Sequence, residues 1–193
     1  MSSFWPEPPF NMLISGITGC GKTHFVLDLL ENEYRNKFDH IIMACPTFYY
    51  NKTYNRPFIY YDSNVIPVQI QNDMNSKLKK ITNVFADTKE QTLIILDDFA
   101  NLHDAKVKSS PFTKLAFHGR HSNISCWAIT QKYNAIVKDF RQNIQTFVLF
   151  YDKDKKSRET AFEENDIDIT SAEKNDIVKH LNCLLYTSPS PRD

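Results

Sequence analysis

The stretch NMLISGITGCGKTHFVLDLL, Asn11 to Leu30, limits the possible folds more than any other part of this 193-residue chain. Three of the chain's four glycines, Gly16, Gly19 and Gly21, fall within six consecutive residues there. Glycine is entropically costly in ordered backbone, so crowding it beside Lys22 demands a compensating role. Gly16, Ile17, Thr18, Gly19, Cys20, Gly21, Lys22 and Thr23 fit the G-x-x-x-x-G-K-[ST] phosphate loop in full. Backbone N–H groups converge on phosphate oxygens only where no Cβ intrudes, and the helix that follows adds its positive end. In such a loop Lys22 reaches the β- and γ-phosphates and the Thr23 hydroxyl binds Mg²⁺. The context is also right. An apolar strand over Asn11–Ser15 precedes the loop, and an amphipathic helix from Lys22 to about Tyr34 follows, with Phe25, Val26, Leu29 and Leu30 on one face.

Further along, apolar runs alternate with helical patterns, which predicts a mainly parallel sheet of about five core strands with helices on both faces. HIIMACP (His40–Pro46) reads as a buried strand, followed by an irregular aromatic stretch over Thr47–Asp62 that packs its rings on the core. NDMNSKLKKITNVF reads as a helix with Met74, Leu78, Ile81 and Phe85 inward. Ser110 and Pro111 suit the cap and first residue of a short helix through Phe117. NISCWAITQ and QTFVLFY are two more strands, YDKDKKSR a solvated turn, and ITSAEKNDIVKHLN a helix opened by a capping box from Thr170 to Glu173.

TLIILDD (Thr92–Asp98) is an almost wholly apolar strand running into two carboxylates, the form of a Walker B element. The first, Asp97, would hold Mg²⁺ beside the phosphate loop, and the second, Asp98, would orient or deprotonate an attacking water. A GTPase would need an N-K-x-D loop after a later strand; NKFD at Asn36–Asp39 comes too early, and Asp97 lacks the glycine of D-x-x-G. No arginine-rich lid of a small-molecule kinase is present in the sequence. A strand lies between the phosphate loop and the Walker B element, and a further strand ends in Thr130 and Gln131. That order fits the additional-strand class of P-loop NTPases with an acidic catalytic base, in which Gln131 takes the sensor position.

The fourth glycine sits in FHGRHSNISCWAITQ. With Gly16–Thr23, LIILDD, GRHSNIS, ITQ and the later FRQN (Phe140–Asn143), the chain resembles the poxvirus-type DNA-packaging ATPases of large DNA viruses, virophages and Polinton-like elements, within the FtsK–HerA superfamily. The resemblance spans roughly Asn11–Tyr151, with an aspartate where glutamate is usual at position 98 and Cys20 inside the loop. It implies a motor that hydrolyses ATP with Mg²⁺ to move double-stranded DNA into a capsid, working as a homo-oligomeric ring at a capsid vertex or another virion protein, at the site of virion assembly inside the host cell. It implies an arginine finger acting in trans, with Arg120 the first choice and Arg141 the alternative. Lys106 and Lys108, after the Walker B strand, are candidate contacts to the DNA backbone. An ATP-dependent capsid-assembly switch with little turnover, or another DNA translocase of the superfamily, are the competing readings.

Composition sets outer bounds. Lys and Arg total 23, as do Asp and Glu, so net charge lends no support to nucleic-acid binding by the whole surface. No apolar run approaches the roughly 20 residues of a membrane span, and MSSFWPEPPF lacks the features of a signal peptide. Cys20, Cys45 and Cys126 have no metal-site spacing and read as reduced thiols of an intracellular protein. His118 and His121 have no convincing third ligand. The end, CLLYTSPSPRD (Cys183–Asp193), matches one frame of a transposase-type sequencing adapter. The expected organisation is therefore one ATPase domain over residues 1–182, truncated at its C-terminus, with 183–193 not native.

Overall fold

The computed structural model describes residues 4–50, 52–55, 65–69, 74–86, 88–98, 110–165 and 169–187. β1 (Asn11–Ser15) runs through the glycine loop into α1 (Lys22–Glu31). β2 (His40–Cys45) is followed by two 3₁₀ turns, Phe48–Tyr50 and Lys52–Asn55, and then by β3 (Val65–Gln69). α2 (Met74–Phe85) leads to β4 (Thr92–Asp97). α3 (Pro111–His118) and the turn Gly119–Ser122 deliver β5 (Ile124–Thr130). α4 (Lys138–Arg141), β6 (Thr146–Leu149), α5 (Lys155–Glu164) and α6 (Ser171–Thr187) follow.

All strand pairings are parallel, and the order across the sheet is β3-β2-β4-β5-β1-β6. A parallel sheet is buried on both faces, which is why its strands read as apolar runs rather than as alternations. Leu13, Ile94, Leu96 and Ala128 enter one core, closed by Leu78 of α2, Phe112 and Leu115 of α3 and Phe140 of α4. Met12, Ile14, Leu93 and Trp127 enter the other, closed by Val26, Leu27 and Leu30 of α1. Trp127 is wholly buried with its ring against Phe10, Tyr34 and Phe38. The result is the expected three-layer sandwich.

Four details depart from the sequence reading. Among the described residues the sheet has six strands, because β3 adds an edge next to β2. Its Pro67 interrupts the strand pattern; an edge tolerates the missing donor, since only one side of the strand must pair. α1 stops at Glu31, and the chain turns through Asn36 in the left-handed region before β2. The charged segment read as a solvated turn contains the start of α5. The Asp154 side chain accepts from the Ser157 N–H to cap it, and Ala161 and Phe162 are buried beneath it. Finally, α6 continues past Asn182 to Thr187, with the predicted box formed: Thr170 N–H donates to Glu173 Oε2 at 2.7 Å and Glu173 N–H to Thr170 Oγ1 at 3.3 Å.

Candidate nucleotide site

Because every strand runs the same way, the C-terminal ends of β1, β4 and β5 open on one rim, where ligands of open α/β sheets bind. The loop after β1 is pinned from both sides. Gly16 N–H donates to Thr130 O of β5 at 3.2 Å, and Ile17 N–H to Tyr151 O beyond β6 at 2.9 Å. Gly19 and Gly21 have φ of 79° and 92°, a region costly for side-chain-bearing residues, and Gly21 is the N-cap of α1. Lys22 is 8% exposed, and its Nζ donates to Gly16 O at 2.6 Å and Ile17 O at 2.8 Å. The ammonium is thus held over the loop that the sequence assigns to phosphate.

β4 delivers the two carboxylates to different surroundings. Asp97 is 7% exposed, and its Oδ2 accepts hydrogen bonds from Thr23 Oγ1 at 2.8 Å and from the Tyr54 hydroxyl. Burial pushes the Asp97 carboxyl above its usual range, opposed by the Tyr54 and Thr23 hydrogen bonds and the nearby Lys22 charge. At Asp98 the chain turns into the left-handed region, φ 53°. Gln131, just past β5, donates through Nε2 to Asp98 Oδ1 at 3.0 Å. A cleft of about 280 Å³ runs between these groups, lined by Thr18, Gly19, Lys22, Thr23, Asp97, Asp98, Thr130 and Gln131. Thr23 and Asp97 present a hydroxyl and a buried carboxylate side by side, a hard oxygen set that fits Mg²⁺.

Tyr54 is the residue the sequence reading missed, together with Thr47 and Thr53, which line the same cleft. They come from the aromatic excursion between β2 and β3, whose Phe48 and Tyr54 are buried while Tyr49 and Tyr50 are exposed. Rings packed on the core were expected there; a phenol on the Walker B aspartate was not. Burial and the Asp97 charge push the Tyr54 phenol far up, so it serves as a donor. Cys20, in the loop, is partly exposed, with burial raising its thiol.

The two candidate finger arginines are placed very differently. Arg120 is exposed in the turn that enters β5, at the end of that strand opposite Gln131. Arg141 is half-buried: its Nη1 lies 3.0 Å from Glu164 Oε2, and its guanidinium stands 4.9 Å from the Tyr133 ring centroid. That contact ties α4 to α5 within the chain. Gly119 ends α3 in a helical conformation, so its role is close approach: a Cβ there would lie 3.2 Å from Ile124 O and 3.1 Å from Leu115 Cδ1. The FRQN segment is likewise a packing feature, with Asn11 Nδ2 donating to Ala116 O and Asn143 O. Lys106, Lys108 and His103 lie outside the described residues.

The family model described as Poxvirus A32 protein matches residues 5–191. The DNA packaging protein OPG160 of Variola virus is 28% identical over 149 residues, covering 74% of this chain and 53% of the relative. The chain therefore spans about half the length of the curated relatives it matches. The genome packaging NTPase B204 from Sulfolobus turreted icosahedral virus 2, solved with AMP, superposes with a TM-score of 0.65 at 16% identity, over 89% of this chain and 87% of that one. The DNA-packaging ATPase B204 of Sulfolobus Turreted Icosahedral Virus gives 0.64 at 14% identity, over 96% and 90%. At such identities the superpositions establish the fold.

Proposed function

This chain belongs to the Poxvirus A32 protein family, and from that premise we propose that it is an ATP-hydrolysing motor that drives double-stranded DNA into a viral capsid. The observation that carries the reading is the convergence of Lys22, Thr23, Asp97, Asp98 and Gln131 on one cleft from three separate strand ends. A switch that only bound nucleotide would need the first three. A carboxylate held by a sensor amide beside them is the equipment of turnover.

In this reading the loop amides and the N-terminus of α1 hold the phosphates, and Lys22 leaves its carbonyl partners to neutralise charge on the β- and γ-phosphates. Thr23 and Asp97 hold Mg²⁺, which when bound offsets developing charge on the phosphates. Asp98 accepts the proton of the attacking water, and Gln131 fixes the angle of that carboxylate and of the water. Arg120 serves the site of a neighbouring copy in a ring, which its exposed position far from its own cleft supports. Arg141, paired within its own chain to Glu164, is assigned a structural role instead. Lys106 and Lys108 meet the DNA backbone, and a capsid vertex protein anchors the ring where virions assemble in the host cell. Among the described residues, no helix is long and apolar enough to cross a membrane. Residues 1–182 make up the ATPase domain, and 183–193 contribute nothing to it; a chain ended at Asn182 is expected to keep full activity.

Phosphate release tests the reading directly. It should rise when double-stranded DNA is added and vanish in Lys22→Ala and Asp98→Asn. Activity indifferent to DNA would count against a translocase. A Lys106/Lys108 double alanine variant should bind DNA with a log–log salt slope shallower by about 2, since each phosphate contact contributes roughly 0.9.

A further inference from the structure

The excursion between β2 and β3 reaches into the cleft at one point that the chemistry above leaves unused. Tyr54 is 3% exposed, and its ring stacks on Phe48 with centroids 5.2 Å apart and planes 19° from parallel. That stack, with Phe48 itself 5% exposed, fixes where the hydroxyl can point. It points at Asp97 Oδ2, the same oxygen that takes the Thr23 hydroxyl.

From this geometry we infer that Tyr54 is a positioning residue of the Mg²⁺ site, holding the Asp97 carboxylate in one orientation together with Thr23. The inference rests on the proposed assignment of Thr23 and Asp97 to the metal. An ionised carboxylate oxygen offers about two lone-pair directions. With Thr23 and Tyr54 both donating into Oδ2, those directions are taken, and Oδ1 is the oxygen left for the cation or a water of its shell. Two donors on one oxygen also stop the carboxylate from rotating about its Cβ–Cγ bond, since rotation would break both bonds in a buried place. Second-shell donors of this kind typically change metal affinity by about 10- to 100-fold when removed. Thr47 and Thr53, from the same excursion, line the cleft beside Tyr54, so fixing Asp97 on a metal should also steady residues 47–55.

The test compares wild type with Tyr54→Phe, which keeps the stacking ring and deletes only the hydroxyl. Calorimetry with β,γ-imido-ATP, with and without Mg²⁺, measures how much the metal strengthens nucleotide binding. The inference expects that increment to fall by about tenfold in Tyr54→Phe, with metal-free affinity as in wild type. An unchanged increment overturns it, as does an equal loss of affinity with and without Mg²⁺, the mark of a merely structural role. A wild-type protein that binds the analogue with no Mg²⁺ increment would instead remove the metal assignment of Thr23 and Asp97. A measurement on the wild type alone covers a variant that fails to fold. Hydrogen exchange in peptides spanning residues 47–55 should slow when Mg²⁺ joins the bound analogue, and no change there also overturns the inference.

Discussion

Gln131 Nε2 and Asp98 Oδ1 are joined by a 3.0 Å hydrogen bond across 33 residues of sequence. The bond links the ends of two adjacent parallel strands, and it holds a carboxylate whose backbone sits at φ 53°, a conformation that non-glycine residues rarely adopt. That pairing joins the two groups to which the proposed function gives the base and the sensor.

That coupling makes a non-additive prediction. Asp98→Asn should lower the rate of phosphate release by about 10²- to 10⁴-fold, the usual contribution of a general base. Gln131→Ala should cost less, and the double variant should be slower than Asp98→Asn by much less than the Gln131→Ala loss, because the amide acts largely through the carboxylate. Steady-state phosphate release from the four proteins is the check. Multiplying losses in the double variant would mean independent roles.

The two arginines should separate by stability. Arg141→Ala strips a partly buried ion-pair partner from Glu164 and should destabilise the fold by about 1–3 kcal/mol, seen in urea or thermal unfolding. Arg120→Ala should unfold like wild type yet lose about 10³-fold in ATP turnover. Mixing it with Lys22→Ala subunits should restore part of the activity. No regain in mixed assemblies would take the trans role away from Arg120.

Gly119→Ala should destabilise by about 1–3 kcal/mol, since its new Cβ meets a strand carbonyl and a core leucine at overpacked distances. Unfolding in urea measures the loss. Turnover per folded molecule should stay close to wild type, which would place the glycine of the GRHSNIS segment in packing and leave function to its neighbour Arg120.

Asp97 should carry a stability cost that depends on pH. Burial raises its pKa on folding, so without Mg²⁺ its contribution is favourable below the unfolded value of 3.8 and is lost as pH rises through the folded one. Asp97→Asn should therefore melt higher than wild type at neutral pH in the absence of Mg²⁺. The gap should narrow toward pH 4 and below. Equal melting temperatures at neutral pH would contradict the burial penalty.

Much of this was legible in the sequence for a definite physical reason. β1, β4 and β5 are covered on both faces, so they appear as unbroken apolar runs, and polar residues at their ends stand out as site residues. The features that stayed hidden depend on contacts between distant segments. β3 is a partly exposed edge with a proline at its centre, which breaks the pattern that marks a strand. α5 buries only a short stripe and is held by the Asp154 cap, by Tyr133 N–H donating to Ser157 Oγ, and by the Arg141–Glu164 pair. No periodicity announces these. Tyr54 belongs to the same class: an aromatic-rich stretch reveals that rings are buried somewhere, but not that one phenol ends on an aspartate 43 residues away.

The placement of Arg120 and Gln131 at opposite ends of β5 has a consequence for enzyme concentration. Seven residues of strand separate the two ends by roughly 20 Å, so a subunit whose finger is Arg120, as proposed above, would have two unlike poles and would not complete its own site. Copies ordered head to tail would each lend one pole and borrow another, the arrangement that closes into rings. Turnover per chain would then be no fixed constant. It should climb steeply with protein concentration, level off once assemblies fill, and collapse on dilution while every chain remains folded.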